Sequence, residues 1–137
     1  MDISELFKPG MAKEDHFRIE HENTAIHVGS GASKVLATPW MIAFMERVSH
    51  RLLAERLPQG YSSVGVSLNV RHLAPTPVGA LVRVRSEIQE IKETRVLFSV
   101  YAWDEYEQIG AGDHGRVVIE EERFLKRVEK KRRETTG

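Results

Sequence analysis

The chain contains no cysteine, which removes disulfides, thiolate metal sites and cysteine nucleophiles together and fits a reducing compartment. It has no surplus of charge either: 20 basic side chains balance 20 acidic ones. Whole-molecule electrostatics therefore do not point to nucleic acid or an anionic membrane, and any anion site must be local. Long apolar runs are missing, since none approaches the roughly 20 residues that span a bilayer. The first residues, Met1-Asp2-Ile3-Ser4-Glu5 onward, lack the basic region, apolar stretch and small-residue cleavage site of a signal peptide. The expected location is the cytoplasm. Aromatics are scarce, at 7%, and none interleaves with the basic tail as in single-strand binders. Histidines are present, but His16 and His21 have neither the i, i+2 strand spacing nor the i, i+4 helix spacing of a metal pair, so no metal is expected.

What is present fits one domain, residues 1–137, with 41% apolar and 29% charged residues, enough at this size to bury roughly 65 to 70% of the unfolded surface. The five prolines punctuate it. Pro9-Gly10 ends a lead-in, and a short strand is expected around Asp15 to His21, where Phe17 and Ile19 alternate with charged residues. Thr24 to Val28 extends or pairs, and Gly29-Ser30-Gly31-Ala32-Ser33 forms a flexible stretch suited to a lid. Thr38 has the character of an N-cap, with Pro39 at the first helical position and Pro58 and Gly60 marking the far end. Four runs then read as strands: Ser62 to Leu73, Ala80 to Ile91, Thr94 to Asp104 and Gln108 to Arg123. Short connections predict an antiparallel meander, and the whole predicts an α+β sheet curved around one helix. Lys126 to Gly137 is a charged tail, a short helix or a frayed end, read as a solvated face with contact to an anionic ligand as its functional alternative.

Within the long helix one carboxylate is out of place. Glu46 falls in the apolar arc with Ile42, Leu53 and Leu57, whereas Arg47, Arg51 and Glu55 mark a separate polar side. Burying an unsatisfied charge costs several kcal/mol, so Glu46 must be paired, reach water at the arc's edge, or serve chemistry. Thr38 near the helix start and His72 near a strand end complete a set able to act as nucleophile and acid/base, although Thr38 is equally suited to capping alone.

Read together, the strings from Leu36 to Glu46 and from Val64 to Gly79, with the Ala37-Thr38 helix entry and the His72-x-x-x-Thr76-Pro77 strand exit, resemble the fluoroacetyl-CoA thioesterase family of hotdog-fold proteins. The likeness runs from Pro9-Gly10-Met11 to the segment Ile109 to Arg116. It implies a hotdog fold and an acyl-CoA thioesterase with Thr38, Glu46 and His72 as catalytic residues. Gly65 would let the thioester approach backbone and offer an N–H to an oxyanion, with a sheet bulge as its structural alternative. Arg116 would lie near the substrate, with a surface ion pair as its alternative. No cofactor is implied beyond the coenzyme A of the substrate. A homodimer is implied, or a dimer of dimers, with the sites closed between subunits. The fluoroacetyl-specific enzyme carries a longer aromatic lid, whereas no Phe or Tyr lies between Gly29 and Thr38 here. The expectation is thus hydrolysis of another small acyl-CoA, with Trp40, Met41 and Met45 crowding the helix mouth. Its rivals are a non-catalytic acyl-CoA binding protein and a purely structural dimer. An enoyl-CoA hydratase is a weaker rival, because its Asp-x-x-x-x-His arrangement is not found.

Overall fold

The computed structural model describes residues 2–136. Five antiparallel strands form one sheet: β1 (Ala12–Arg18), β2 (Tyr61–His72), β3 (Leu81–Lys92), β4 (Arg95–Trp103) and β5 (Gln108–Glu120). Three helices accompany it: α1 (Ala25–Val28), α2 (Thr38–Ala54) and α3 (Glu121–Thr136). None of the described helices is long and apolar enough to cross a membrane. The expected α+β layout is present, with α2 packed on the sheet.

The sheet order, β1-β3-β4-β5-β2, corrects the simple meander. Only β3, β4 and β5 follow one another in space. β2 leaves α2 on the far side and pairs with β5, so the chain from Leu73 to Ala80 must cross the end of the sheet to reach β3. That crossing is fixed by a bridge between Val35 and Pro77 and by a bond from Leu36 N to Thr76 O of 2.8 Å. β2 is left as an outer edge, with Val66 and Leu68 each 46% exposed.

The core lies between α2 and the sheet: Met41, Phe44, Met45, Val48, Leu52 and Leu53 pack against Val82, Val84, Ile88, Phe98, Val100 and Ile109. Gly110 makes the closest approach possible, because a Cβ there would stand 2.6 Å from Met41 Sδ. The polar side read for α2 faces β1, where Arg51 pairs with Asp15 and Glu55 with Lys13. The lead-in is more than a lead-in, since a 3-10 turn at Ile3–Glu5 buries Ile3 completely, and Phe7 after it is equally buried.

Three local expectations change. β1 begins at Ala12, before the predicted start, because Met11 O and the alternating residues that follow already pair with β3. Of Thr24 to Val28 only Thr24 pairs, in an isolated antiparallel bridge with Leu36, while Ala25 to Val28 turns helical and Thr24 Oγ1 accepts from His27 N to cap it. The predicted last strand stops at Glu120, and the charged tail is a helix from Glu121.

Candidate active site

Pro39 stands at the second helical position of α2 and not at the expected first. The N-cap is Ala37, which contributes no side-chain bond, and Thr38 is already helical. Its hydroxyl is therefore not spent on capping. Thr38 Oγ1 lies 2.7 Å from His72 Nδ1 at the end of β2. The pair sits at one wall of an open cleft of about 390 Å³ whose lining includes Val35, Leu36, Ala37, Leu73 and Pro75. Burial holds the His72 pKa below its ordinary value, opposed by the Ala74 backbone. The ring is thus neutral at neutral pH and able to accept a proton. Its Nε2 is buried and outside hydrogen-bond geometry among the described residues, so the polar groups that act on the ring are Thr38 Oγ1 and the Ala74 backbone.

Glu46 is elsewhere on the same helix. Eight residues at 1.5 Å each put it about 12 Å further along the axis than Thr38. No hydrogen bond or ion pair joins it to Thr38 or His72 among the described residues. Its side chain is 39% exposed, so it stands at the margin of the buried arc and not within it. Beside it is Gly65, at a register shift in the β2–β5 pairing. A Cβ on Gly65 would stand 2.8 Å from Glu46 Oε2. The strand is irregular there, as the bulge reading of this glycine has it, and the carboxylate occupies the space a side chain would need.

Arg116, on β5 opposite Gly65, is buried and is no surface ion-pair residue. Its Nε donates to Ser63 Oγ at 2.9 Å and its Nη2 to Ser63 O at 3.0 Å. Nη1 lies 3.1 Å from His114 Nε2 and 3.7 Å from Glu46 Oε2. Glu46 is therefore held by charge at a distance beyond a hydrogen bond. Ser63 Oγ also lies 3.3 Å from His50 Nδ1. Burial, then Arg116 and Arg51, lower the His50 pKa, so that neutral ring can accept from the serine.

His114 and His50 carry no weight in the sequence reading, yet both belong to this cluster. A signal for His114 existed: it lies two residues from Arg116 in a strand, hence on the same face. The expected crowding of the helix mouth is not found. Trp40 turns to the opposite side of α2, under the Arg47 guanidinium at 5.3 Å, while Met41 and Met45 are fully buried in the core. The Gly29 to Ser33 stretch is anchored at its base by Ala25 N to Val35 O at 2.8 Å and Ile26 N to Ser33 O at 3.1 Å.

The arrangement has two halves, a hydroxyl–imidazole pair at a cleft and a carboxylate over a glycine backbone. Comparison with known proteins shows what kind of protein carries them. The family model described as fluoroacetyl-CoA-specific thioesterase matches residues 19–122. The chain belongs to this family. It is a thioester hydrolase of the hotdog fold. The fluoroacetyl-CoA thioesterase of Streptantibioticus cattleyicolor is 31% identical over 131 residues, 96% of this chain and 94% of that protein. A solved structure of a fluoroacetyl-CoA thioesterase superposes with a TM-score of 0.87 at 30% identity, covering 91% of this chain and 97% of the other. A hot-dog-like protein from Thermanaerovibrio acidaminovorans reaches 0.88 at 27% identity, over 96% and 97%.

Proposed function

We propose that this thioesterase hydrolyses a short acyl-CoA ester using Thr38, His72 and Glu46. The observation that carries the reading is the 2.7 Å contact between Thr38 Oγ1 and His72 Nδ1 at the cleft, the geometry of a nucleophile beside its base. As Oγ1 attacks the thioester carbon, His72 takes the hydroxyl proton. The tetrahedral oxyanion is met by a backbone N–H at or near Gly65. The C–S bond then breaks, and His72 returns the proton to the departing coenzyme A sulfur. A water activated by Glu46 releases the acid from Thr38. In the runner-up route Glu46 or Thr38 directs water onto the thioester without an acyl-enzyme.

The two halves need joining, because about 12 Å of helix separates them in one protomer. We propose a homodimer paired along β2. Its outer edge is free and carries exposed Val66 and Leu68, and an open apolar edge invites pairing. Antiparallel pairing about a two-fold axis near Leu68 sets the His72 end of one strand beside the Gly65 bulge of the other. Each site then takes Thr38 and His72 from one protomer and Glu46 from its partner. The cleft lining mixes aliphatic Ala25, Val35, Leu36, Ala37, Leu73 and Ala74 with polar Ser30, Thr38 and His72, a surface that suits an aliphatic acyl group beside the hydroxyl–imidazole pair and sets no demand for fluorine.

Thiol release from a panel of acyl-CoA esters tests this, with wild type beside Thr38→Ala, Glu46→Gln and His72→Ala. The lack of cysteine leaves no protein background. Expected is turnover of short aliphatic esters, lowered roughly a hundredfold in each variant. Binding of the esters without hydrolysis would replace catalysis by acyl-CoA binding.

A further inference from the structure

We infer that His114 is a positioning residue for Glu46, acting through Arg116. The inference rests on the reading of Glu46 as catalytic.

His114 is completely buried on β5. A carbonyl can only accept, so the 2.9 Å contact between His114 Nδ1 and Ser67 O requires the ring proton on Nδ1. Nε2 then presents a lone pair to Arg116 Nη1, 3.1 Å away. Burial is the main cause of a lowered His114 pKa, with the Ser67 carbonyl opposing and Arg116 reinforcing it, in keeping with a neutral ring. With Nε and Nη2 both on Ser63, the guanidinium is fixed on every side except the one toward Glu46.

The consequence lies in the 3.7 Å between Arg116 Nη1 and Glu46 Oε2. A guanidinium free to swing would close on the carboxylate with a further N–H and form a charge-assisted bond. Three of its five N–H groups are held by Ser63 and His114, and by accepting one Nη1 proton His114 anchors the head so that it stops 3.7 Å short of Glu46. Glu46 therefore keeps the attraction of the cation while its lone pairs remain available to water or substrate. The His114 ring also bounds the space over Gly65, since a Cβ there would be 3.2 Å from His114 Cε1. A residue wanted only for filling would be apolar at this position, as Val118 and Ile109 are on the same strand, because a buried imidazole costs desolvation that a leucine does not.

His114→Asn, His114→Gln and His114→Leu separate positioning from packing. Asparagine carries its amide to where Nδ1 sits and keeps the bond to Ser67, whereas glutamine reaches the place of Nε2 and keeps the acceptor for Arg116. The assay is thiol release from a short acyl-CoA ester that the wild type hydrolyses, on the full chain, with a thermal melt of every variant. Loss of a hydrogen bond to a charged group predicts kcat lowered roughly 10- to 100-fold in the Asn and Leu variants, with KM within about threefold. Glutamine should recover at least about fivefold over asparagine. In a Glu46→Gln background, His114→Leu should change kcat less than about twofold, because the group it positions is already lost.

Three results overturn the proposal: kcat unchanged in His114→Leu, asparagine as good as glutamine, or an undiminished effect of His114→Leu in the Glu46→Gln background. Where the leucine variant does not fold, the comparison of asparagine with glutamine decides. Failure of the underlying reading looks different, because Glu46→Gln by itself would then keep wild-type turnover.

Discussion

Gly65→Ala perturbs the candidate site by one carbon. The φ of Gly65 is not in the left-handed region, so alanine brings no backbone strain of that kind. What it brings is a Cβ 2.8 Å from Glu46 Oε2, 3.2 Å from His114 Cε1 and 3.6 Å from Arg116 Nη1. Relief to an ordinary contact of about 3.4 Å requires roughly 0.6 Å of movement, and the partly exposed carboxylate can move where the buried ring cannot. Stability should fall by less than about 1 kcal/mol, a Tm change of about 5 °C or less at this chain length. Activity should suffer far more, since a shift of up to about 1 Å in a reacting group can cost as much as 100-fold. The expected result is kcat down roughly 10- to 100-fold in thiol release, with the melt nearly unchanged. Full activity would show that the position of Glu46 against Gly65 does not matter to turnover. A collapsed melt would show that the glycine is there for the sheet.

Further expectations follow from the same geometry. Thr38→Ala should leave Tm within about 2 °C, because Ala37 and not Thr38 is the N-cap and the ~1 kcal/mol of a lost cap does not apply. Gly110→Ala should destabilise by about 1–3 kcal/mol in denaturant unfolding, since its Cβ would be 2.6 Å from the buried Met41 Sδ. Leu68→Lys should give a monomer in sedimentation and abolish turnover, if β2 is the dimer edge. Stability should depend on pH with a definite sign. Burial, as the leading cause, lowers the pKa of His50, His72 and His114. Below about pH 6.5 the unfolded chain takes up protons that the folded one refuses, so Tm should be flat above that pH and fall beneath it. His114→Gln should remove part of that slope.

The strands of this fold were legible because their signals are local. Val, Ile and Leu alternate along β3 and β4, and Pro58, Gly60, Pro75 and Gly79 bound the segments, so the ranges read from sequence lie within a few residues of those found. The place of β2 was not legible, because nothing in Tyr61 to His72 says whether its partner is β3 or β5. The crossing it requires is held by contacts between segments far apart in the sequence, the Val35–Pro77 bridge and the bond from Leu36 N to Thr76 O. The helix N-cap was misplaced by one residue for a related reason: Thr38 has the preferred chemistry for a cap, but a long-range partner, His72, competes for its hydroxyl and wins. Trp40, expected at the mouth, turns away because Phe44 and Arg47 offer it a surface on the other side. The carboxylate of Glu46 stood out in a single helix pattern. Its neighbours His114 and Ser63 did not, because they come from two strands that meet only in the folded sheet.

The claim on which the account turns is that the two halves of the site come from different protomers. It is tested by mixing two inactive variants, Thr38→Ala and Glu46→Gln, at equal amounts under conditions of subunit exchange and measuring thiol release. Random exchange makes half the dimers mixed, and each mixed dimer has one site with both residues intact. The account therefore predicts recovery to about a quarter of wild-type turnover. A mixture no more active than its components would contradict it, and would place Thr38, His72 and Glu46 in a site within one chain.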